Sequence, residues 1–480
     1  MTHAAIPRSD SFTFTAFGAP WIDFEWGTQL IWYFVHAVGG LWGLWVLKAV
    51  GIALAFWPVD GLLREKGASG LARAGALGLW LAAMLAQSDL RADAVSGIFF
   101  AILLRRLENG RASFLFGFGL FAVWVNLHGG FILGFGLYLC AALAAKAEER
   151  EAPAGLAAEA AGAALGGLLN PYGAGLYRVL LVHASDPAVR SVMEWKPPTS
   201  HNPFQLALLV AILGTLVAIG LSLRRASKFL LGATFVALCA SIFSARFGAY
   251  FAPAGAMLVF TAFPNPRAGI VAVILAGLTA MLYPIRMRFE PRPYSDLIVA
   301  RRAVDFVARE QKALGGLRLF NTYEWGGYLG WKLGEGGRVF GDGRYLFHSQ
   351  LPEMNAALTS AEALADFTAR HQLDGFLVRR LITTFPSTRV YPGGKTRTFD
   401  RPWYIAYLPR QRWALVYWDE QGMLFVDRAK APATWLATHE YRWLLPGDDA
   451  ARGDALERGE IPRAALAAEA ARHAAEVPIR

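Results

Sequence analysis

The chain has 480 residues, of which 55% are hydrophobic and 18% are charged, and its formal net charge is +10. Soluble domains carry about 25% charged residues, so this composition argues against an ordinary soluble protein and favours an integral membrane protein. Much of the basic excess lies in loops between apolar segments, where membrane topology explains it without a nucleic-acid partner.

An extracytoplasmic loop is expected at residues 1–26, followed by a transmembrane helical domain at 27–289. A membrane-spanning helix needs about 20 apolar residues, and several of the apolar segments are shorter than that. The hydropathy predicts about ten spans, at 38–58, 69–88, 92–105, 112–127, 129–146, 155–170, 204–223, 229–247, 248–264 and 268–287.

Two chemically different kinds of loop alternate between these spans. One kind is basic, and positive charge in short loops marks the cytoplasmic side. Its members are Arg64–Lys66, Arg105–Arg111, Lys146–Arg150, Arg224–Lys228 and Arg267. The other kind carries carboxylate, amide, histidine and aromatic groups, so the candidate chemical residues are predicted to gather on the extracytoplasmic face.

Hydropathy falls after Tyr283, which predicts a soluble α/β domain at 290–431 and a helical, Ala/Arg-rich tail at 432–480. Strands are expected at 317–320, 338–340 and 375–378, with a hairpin that pairs 413–418 with 423–426. Helices are expected at 294–311, 326–333 and 352–371. With an even number of spans, this domain lies on the extracytoplasmic side.

The first outward loop carries two carboxylates, Asp23 and Glu25, between Trp21 and Trp26. In an extended chain the two side chains would point the same way, where they could share a proton, hold a metal ion or act as base and orienter. The alternative is a pair of solvated loop carboxylates beside interfacial tryptophans.

The segment Trp124–Gly130 contains Asn126 and His128 at the outer end of a predicted span. A histidine there could titrate, donate to a phosphate or bind a metal, and the glycines allow a tight reversal or close approach by a ligand. A capping and turn element explains the same residues without a ligand.

A third outward loop contains Glu194, Trp195 and Lys196, a combination that suits sugar stacking or phosphate binding. Arg246 lies at the outer end of its span, where it could bind phosphate through two hydrogen bonds or extend to the membrane interface. The chain contains no P-loop, dinucleotide-binding glycine motif, zinc-protease helix or nucleophile elbow.

Taken in order, five segments resemble a group of bacterial polytopic membrane proteins that is similar to the GT-C class of glycosyltransferases. They are Phe14–Trp26, Trp124–Gly130, Asn170–Gly173, Glu194–Pro198 and Asn321–Tyr328. The resemblance implies residence in the bacterial inner membrane and transfer of a sugar from a polyprenyl-phosphate carrier. Members of that group begin with a further helix, so a first helix preceding Met1 is expected, and Phe24 stands where they often have histidine.

The resemblance implies that Glu25 or Asp23 deprotonates a hydroxyl of a glycan, lipid or protein acceptor. Arg246, with His128 or Lys196, would stabilise the departing lipid phosphate, and a divalent cation is an alternative for that role. Trp26 and Trp195 would stack on the sugar or line the lipid entrance, and Glu194 and Asn126 are further candidate substrate-binding residues. The alternative is a non-enzymatic membrane scaffold or envelope-assembly protein whose C-terminal domain binds a partner or a glycan.

Overall fold

A computed structural model describes residues 6–84, 90–149, 151, 154–185, 188, 195–200, 203–281 and 299–478 of the chain. The chain divides into two compact units. The helical unit comprises Met1–Pro7 and Ile22–Arg292, and the mixed unit comprises Arg8–Trp21 and Pro293–Arg480. The first 26 residues, which the sequence assigns to one loop, therefore contribute to both units.

The described part of the helical unit contains eleven α-helices. They are α1 (Trp26–Glu65), α2 (Gly70–Met84), α3 (Asp93–Glu108), α4 (Phe114–Trp124), α5 (Ile132–Ala147), α6 (Leu156–Gly166), α7 (Gly175–Ser185), α8 (Pro203–Ser222), α9 (Lys228–Phe243), α10 (Gly248–Ala262) and α11 (Pro266–Met281). Helix α1 is interrupted at Gly40, whose φ of 54° and ψ of −148° are not helical. Glycine adopts a positive φ without steric cost, and the break lies two residues inside the predicted 38–58 span.

Three segments of the described chain are long and apolar enough to cross a membrane: Trp26–Glu65, Gly129–Ala147 and Gln205–Ser222. Large hydrophobic side chains on their outer faces and on neighbouring helices are exposed, including Trp57, Leu139, Leu213 and Phe243. Exposed apolar surface of this extent is typical of contact with lipid or protein, and it fits a membrane protein. The predicted ten-span bundle is not confirmed.

The other apolar helices are shorter than the sequence predicts. Phe114–Trp124 and Leu156–Gly166 have 11 residues each, and Lys228–Phe243 has 16. At a rise of about 1.5 Å per residue, an 11-residue helix covers about 16 Å, roughly half the hydrocarbon thickness of a bilayer. In the predicted 112–127 span, for example, the helix begins at Phe114 and ends at Trp124, and residues 125–127 form a turn.

Helix α10 is the central helix of this unit and packs against α1, α2, α3, α8 and α9. Every residue from Gly248 to Leu258 is buried. A helix that is apolar on all sides belongs in the interior of a bundle. Its first turn therefore holds Tyr250, and the turn before it holds Arg246, inside the helical unit rather than on its outer surface.

The mixed unit contains a four-stranded and a two-stranded sheet. Its strands are β1 (Leu319–Asn321), β2 (Gly375–Arg379), β3 (Thr384–Val390), β4 (Thr396–Pro402), β5 (Trp413–Trp418) and β6 (Gly422–Asp427). The larger sheet has the order β1-β2-β6-β5, with β1 and β2 parallel and the other neighbours antiparallel, and β3 pairs only with β4. The predicted hairpin of β5 and β6 is confirmed, whereas the β3–β4 hairpin was not predicted.

Nine described helices accompany these sheets. They are α12 (Arg301–Arg309), α13 (Gln311–Leu314), α14 (Gly326–Leu333), α15 (Leu351–Ala357), α16 (Ala361–His371), α17 (Trp403–Tyr407), α18 (Ala433–His439), α19 (Asp449–Glu457) and α20 (Arg463–Glu476). The predicted 326–333 helix is confirmed. The single helix predicted at 352–371 is wrong, because Ser360 accepts a hydrogen bond from the Ala363 amide and starts a new helix.

The segment Arg8–Trp21 belongs to the mixed unit. Asp10 is 1% exposed, accepts hydrogen bonds from the Thr13 amide and hydroxyl, and pairs with Arg344 at 2.6 Å. Thr13 forms a parallel bridge with Val339, so the predicted 338–340 strand is reduced to one bridging residue. Arg344 also pairs with Asp342, two residues earlier, so the ion pair has a structural role in the turn at 341–344.

Candidate functional site

Four charged or titratable side chains meet at one end of the helical unit, and we call Glu25, Asp93, His128 and Arg246 the four-residue site. Glu25 immediately precedes α1, Asp93 is the first residue of α3, and the other two lie in the turns before α5 and α10. His128 Nε2 lies 3.6 Å from Glu25 Oε1, and Arg246 Nε lies 3.8 Å from Asp93 Oδ2.

Two similar turns position His128 and Arg246. His128 is extended and starts a 3-10 turn at Gly129–Phe131, and its side chain accepts a hydrogen bond from the Gly130 amide. Ser244 is also extended and starts a 3-10 turn at Ala245–Phe247, where its hydroxyl accepts from the Arg246 amide. In each case a side-chain acceptor satisfies an amide that lacks a helical partner.

The hydrogen bonds of His128 fix its tautomer. The Gly130 amide donates to His128 Nδ1 at 3.0 Å, and the Ser96 hydroxyl lies 2.7 Å from the same atom. The Trp124 indole donates to Ser96 Oγ at 2.7 Å, and Ser96 also hydrogen-bonds Tyr250. Because a backbone amide can only donate, Nδ1 is an acceptor, and the proton of the neutral ring is assigned to Nε2, which lies 3.6 Å from Glu25 Oε1.

The same surroundings keep His128 neutral. Burial lowers the pKa of His128 to about 4, against the opposing effect of the negative charge of Asp93. A second proton on the ring would also have to occupy Nδ1, to which the Gly130 amide already donates. His128 therefore acts across the physiological range as a hydrogen-bond donor through Nε2, and it does not act as a base through that atom.

Glu25 differs from an ordinary surface carboxylate. Burial, which the charge of Arg246 opposes, raises the pKa of Glu25 to about 7, with smaller contributions from the charges of Asp93 and Asp23. Its side chain remains 29% exposed, so the group can still be reached. A carboxyl group that titrates near neutrality can both accept and return a proton at physiological pH.

Asp23, the second carboxylate predicted in this loop, contributes mainly to the start of α1. Its Oδ1 accepts hydrogen bonds from the Glu25 amide at 3.2 Å and from the Gln29 side chain at 3.0 Å. Its own amide donates to the Tyr172 hydroxyl at 3.1 Å. These contacts fix the chain just before Glu25, so Asp23 orients the loop that carries the more perturbed carboxyl group.

Asn126 and Trp26 hold the same helix start in place. The Trp26 indole donates to Asn126 Oδ1 at 3.2 Å, and the Gly27 amide donates to the Asn126 carbonyl at 3.0 Å. Asn126 Nδ2 in turn donates to the carbonyls of Ala122 and Leu169. With these groups engaged inside the protein, the observed role of both residues is to join the His128 turn to the Glu25 loop.

Two candidates of the third predicted loop, Trp195 and Lys196, are among the described residues. The Arg246 guanidinium lies over the Trp195 ring, 5.1 Å from its centroid, which favours a cation–π contact. The Lys196 carbonyl accepts from the Ala245 amide, and the Lys196 residue is exposed. Glu194 lies outside the described residues. No three histidine, cysteine, aspartate or glutamate side chains in the described chain form a group that could hold a metal ion.

Sequence reasoning placed Asp93 in one of the outward polar loops without selecting it as a site residue, and it did not identify Ser96 or Tyr250. Asp93 and Ser96 lie three residues apart at the start of an apolar helix, and Tyr250 is one aromatic residue among many in the bundle. A Cβ atom at Gly130 would collide with the Tyr250 hydroxyl, the Ser96 hydroxyl and His128 Nδ1. A histidine followed by two glycines was the only local signal of such crowding.

Comparisons with known proteins provide no relative. No protein-family profile matches the chain, and no curated protein matches it. The resemblance to the GT-C class therefore receives no support from these comparisons, and functional inference depends on the geometry of the four-residue site.

Proposed function

We propose that the chain is a membrane enzyme that transfers a sugar from a polyprenyl-phosphate carrier to a hydroxyl acceptor, with Glu25 as the base. The strongest support is the position of the Glu25 carboxyl group, whose pKa is about 7. Its Oε1 lies 3.6 Å from His128 Nε2, the nitrogen that carries the ring proton. Arg246 lies in the same group of charges. A base, a neutral donor and a guanidinium are the groups that glycosyl transfer from a phosphate requires.

In the proposed step, Glu25 takes the proton of the acceptor hydroxyl while that oxygen bonds to the anomeric carbon. The bond between the anomeric carbon and the phosphate oxygen breaks, and its electron pair stays on the phosphate. The transition state has oxocarbenium character, as in glycoside chemistry generally. Arg246 and the Nε2 proton of His128 stabilise the charge that develops on the departing phosphate.

The proposal places the four-residue site at the extracytoplasmic face of the bacterial inner membrane, in a multi-pass bundle of the GT-C type. Alternating basic and polar loops support this orientation, and the three segments long enough to span a membrane support insertion. Under this proposal Trp195, already in contact with Arg246, would provide an aromatic surface beside the sugar or its lipid. A divalent cation at the phosphate remains a prediction.

The test is transfer from lipid-linked sugars by the full-length chain in nanodiscs. Geranylgeranyl-phosphate derivatives of glucose, galactose, mannose and arabinose serve as donors, with a lipid extract and hydroxylated detergents as acceptors. Glu25→Gln should lower kcat about a thousandfold or more because it removes the base without changing size. Glu149→Gln, at an exposed glutamate, should leave the rate unchanged.

Equal turnover by the wild type and Glu25→Gln would rule out Glu25 as the base. A wild-type chain that binds these donors but transfers none of them would favour the non-enzymatic alternative, a membrane scaffold that holds a glycan. The pH profile adds a second criterion. Activity should rise with pH up to about 7, where Glu25 loses its proton, and then level off while His128 stays neutral.

A further inference from the structure

Asp93 holds a buried carboxylate oxygen whose hydrogen-bonding capacity is unused. Its side chain is 7% exposed, and Oδ2 has no hydrogen-bond partner among the described residues. Buried polar atoms are nearly always hydrogen-bonded, because leaving one unsatisfied costs about 1–3 kcal/mol. Asp93 also begins the 16-residue helix α3, where the helix dipole favours its negative charge. The charge is therefore stabilised, while one oxygen still lacks a donor.

Arg246 balances the charge of Asp93 without supplying that donor. The distance of 3.8 Å between Arg246 Nε and Asp93 Oδ2 is within ion-pair range but is too long for a hydrogen bond. With a cation already beside the carboxylate, the group best suited to the remaining lone pair is a neutral donor. A hydroxyl group meets this requirement, since it donates one hydrogen and brings no further charge.

Asp93 lies on the same face of α3 as Ser96, whose hydroxyl contacts His128. Asp93 and Ser96 are three residues apart, so they lie on one face of the helix. Ser96 Oγ is 2.7 Å from His128 Nδ1, while Asp93 Oδ2 approaches Arg246. The charge of Asp93 also acts on both Glu25 and His128. Asp93 therefore belongs to the same group of charges as Glu25, His128 and Arg246.

We propose that Asp93 is a ligand-positioning carboxylate whose Oδ2 accepts a hydrogen bond from one hydroxyl group of a sugar. This inference rests on the proposed function, because it names the sugar as the ligand of the same site. By holding one hydroxyl, Asp93 would orient the ring relative to Glu25 and distinguish sugars that differ at that position. The distinction is sharp because an analogue without the hydroxyl leaves the buried oxygen unsatisfied.

The test is a thermodynamic cycle that combines substitution of Asp93 with removal of each sugar hydroxyl in turn. Binding of the four geranylgeranyl-phosphate sugars and their monodeoxy analogues is measured by titration calorimetry, with transfer measured separately. In the wild type, loss of the relevant hydroxyl should weaken binding about ten- to a hundredfold, the range for a hydrogen bond to a charged group. In Asp93→Ala and Asp93→Asn the same loss should cost less than about threefold, because the interaction is already absent or weakened.

Because each variant is compared with itself on two ligands, general damage to folding cancels. Asp60→Asn, at an ion-paired aspartate near the other end of α1, should keep the full wild-type penalty. Equal penalties in wild type and both Asp93 variants for every hydroxyl would overturn the inference while leaving transfer intact. Coupled binding without any transfer would sustain the inference and overturn the proposed function, and failure of every sugar to bind would overturn both.

Discussion

The two ends of α3 hold charged groups in opposite ways. Near its C-terminal end, Arg106 donates to Glu159 at 2.9 Å, and the fully buried Glu159 also accepts from the Ser113 amide and the Tyr138 hydroxyl. At its N-terminal end, Asp93 Oδ2 has no hydrogen bond within the described chain, and Arg246 stays 3.8 Å away.

The difference distinguishes a charged group whose hydrogen bonds are satisfied inside the protein from one that is left incompletely paired. A buried ion pair is tolerated when hydrogen bonds satisfy the remaining atoms, as they do around Glu159. Near Asp93 the carboxyl group of Glu25 titrates near neutrality, and a proton of His128 faces it at more than hydrogen-bond distance. Incomplete pairing and a perturbed pKa in one place are features of a candidate functional site.

The largest effect is expected from removing the buried ion pair of Arg106 and Glu159, near the C-terminal end of α3. Glu159→Gln leaves the Arg106 guanidinium without its anionic partner, and we expect a loss of about 3 kcal/mol in the free energy of unfolding. Tryptophan fluorescence during unfolding in mixed micelles measures it, with Glu149→Gln as the control. Turnover per folded molecule should not change. A stability equal to that of the wild type would contradict the structural role of Glu159.

The second-largest effect is expected from a substitution that distorts the four-residue site without removing a charged group. Gly130→Ala introduces a Cβ that collides with the Ser96 and Tyr250 hydroxyls and with His128 Nδ1. We expect kcat/KM for transfer to fall about a hundredfold, since small displacements of reacting groups have effects of that size. Gly136→Ala, in helix α5 directly after that turn and with open space around it, is the matched control. Equal rates for the two variants would show that the packing around His128 is irrelevant to transfer.

A smaller effect is expected from relieving the free-energy cost of burying the ionised Glu25 carboxyl group. Its folded-state pKa is about 7, above the ordinary value of 4.5, so its contribution to stability is present below pH 4.5 and is lost as pH rises through 7. Glu25→Gln should therefore be about 1–3 kcal/mol more stable than wild type at pH 8 and equal to it at pH 4. Thermal unfolding at both pH values checks this. A variant less stable than wild type at pH 8 would contradict the elevated pKa.

The smallest effect is expected at an exposed pair near the satisfied end. Arg64 is 64% exposed and pairs with Asp60, which also binds Arg73. Exposed ion pairs contribute about 0–1 kcal/mol, so Arg64→Ala should change the free energy of unfolding by less than about 0.5 kcal/mol. The same unfolding assay applies. A loss as large as that of Glu159→Gln would remove the distinction between buried and exposed pairs.

Some of this arrangement could be predicted from the sequence. Alternating loop chemistry placed Glu25, His128 and Arg246 on one predicted face, and the three residues do meet in one region. Hydropathy correctly indicated apolar helices, and three described segments are long and apolar enough to span a membrane, while the predicted ten-span bundle is not confirmed. Hydropathy averaged over a window does not mark the residue at which a helix ends, as at Trp124, which is followed by the turn Val125–Leu127.

The remaining features depend on contacts between distant segments. Nothing near Asp93 indicates that Arg246, more than a hundred residues later, will approach it without forming a hydrogen bond. His128 Nδ1 contacts Ser96, a residue of another helix, and Ser96 in turn accepts a hydrogen bond from the Trp124 indole. In the mixed unit, the burial of Asp10 requires Arg344, a partner that local pattern could not supply.

The most direct test is the protonation state of Glu25 in the full-length protein. Infrared difference spectra of wild type against Glu25→Gln isolate the carbonyl band of the protonated Glu25 carboxyl group, and a pH titration in nanodiscs gives its midpoint. The arrangement described here predicts a midpoint near pH 7. A midpoint near the ordinary value of 4.5 would contradict it, because Glu25 would then be a solvated loop carboxylate with no special role.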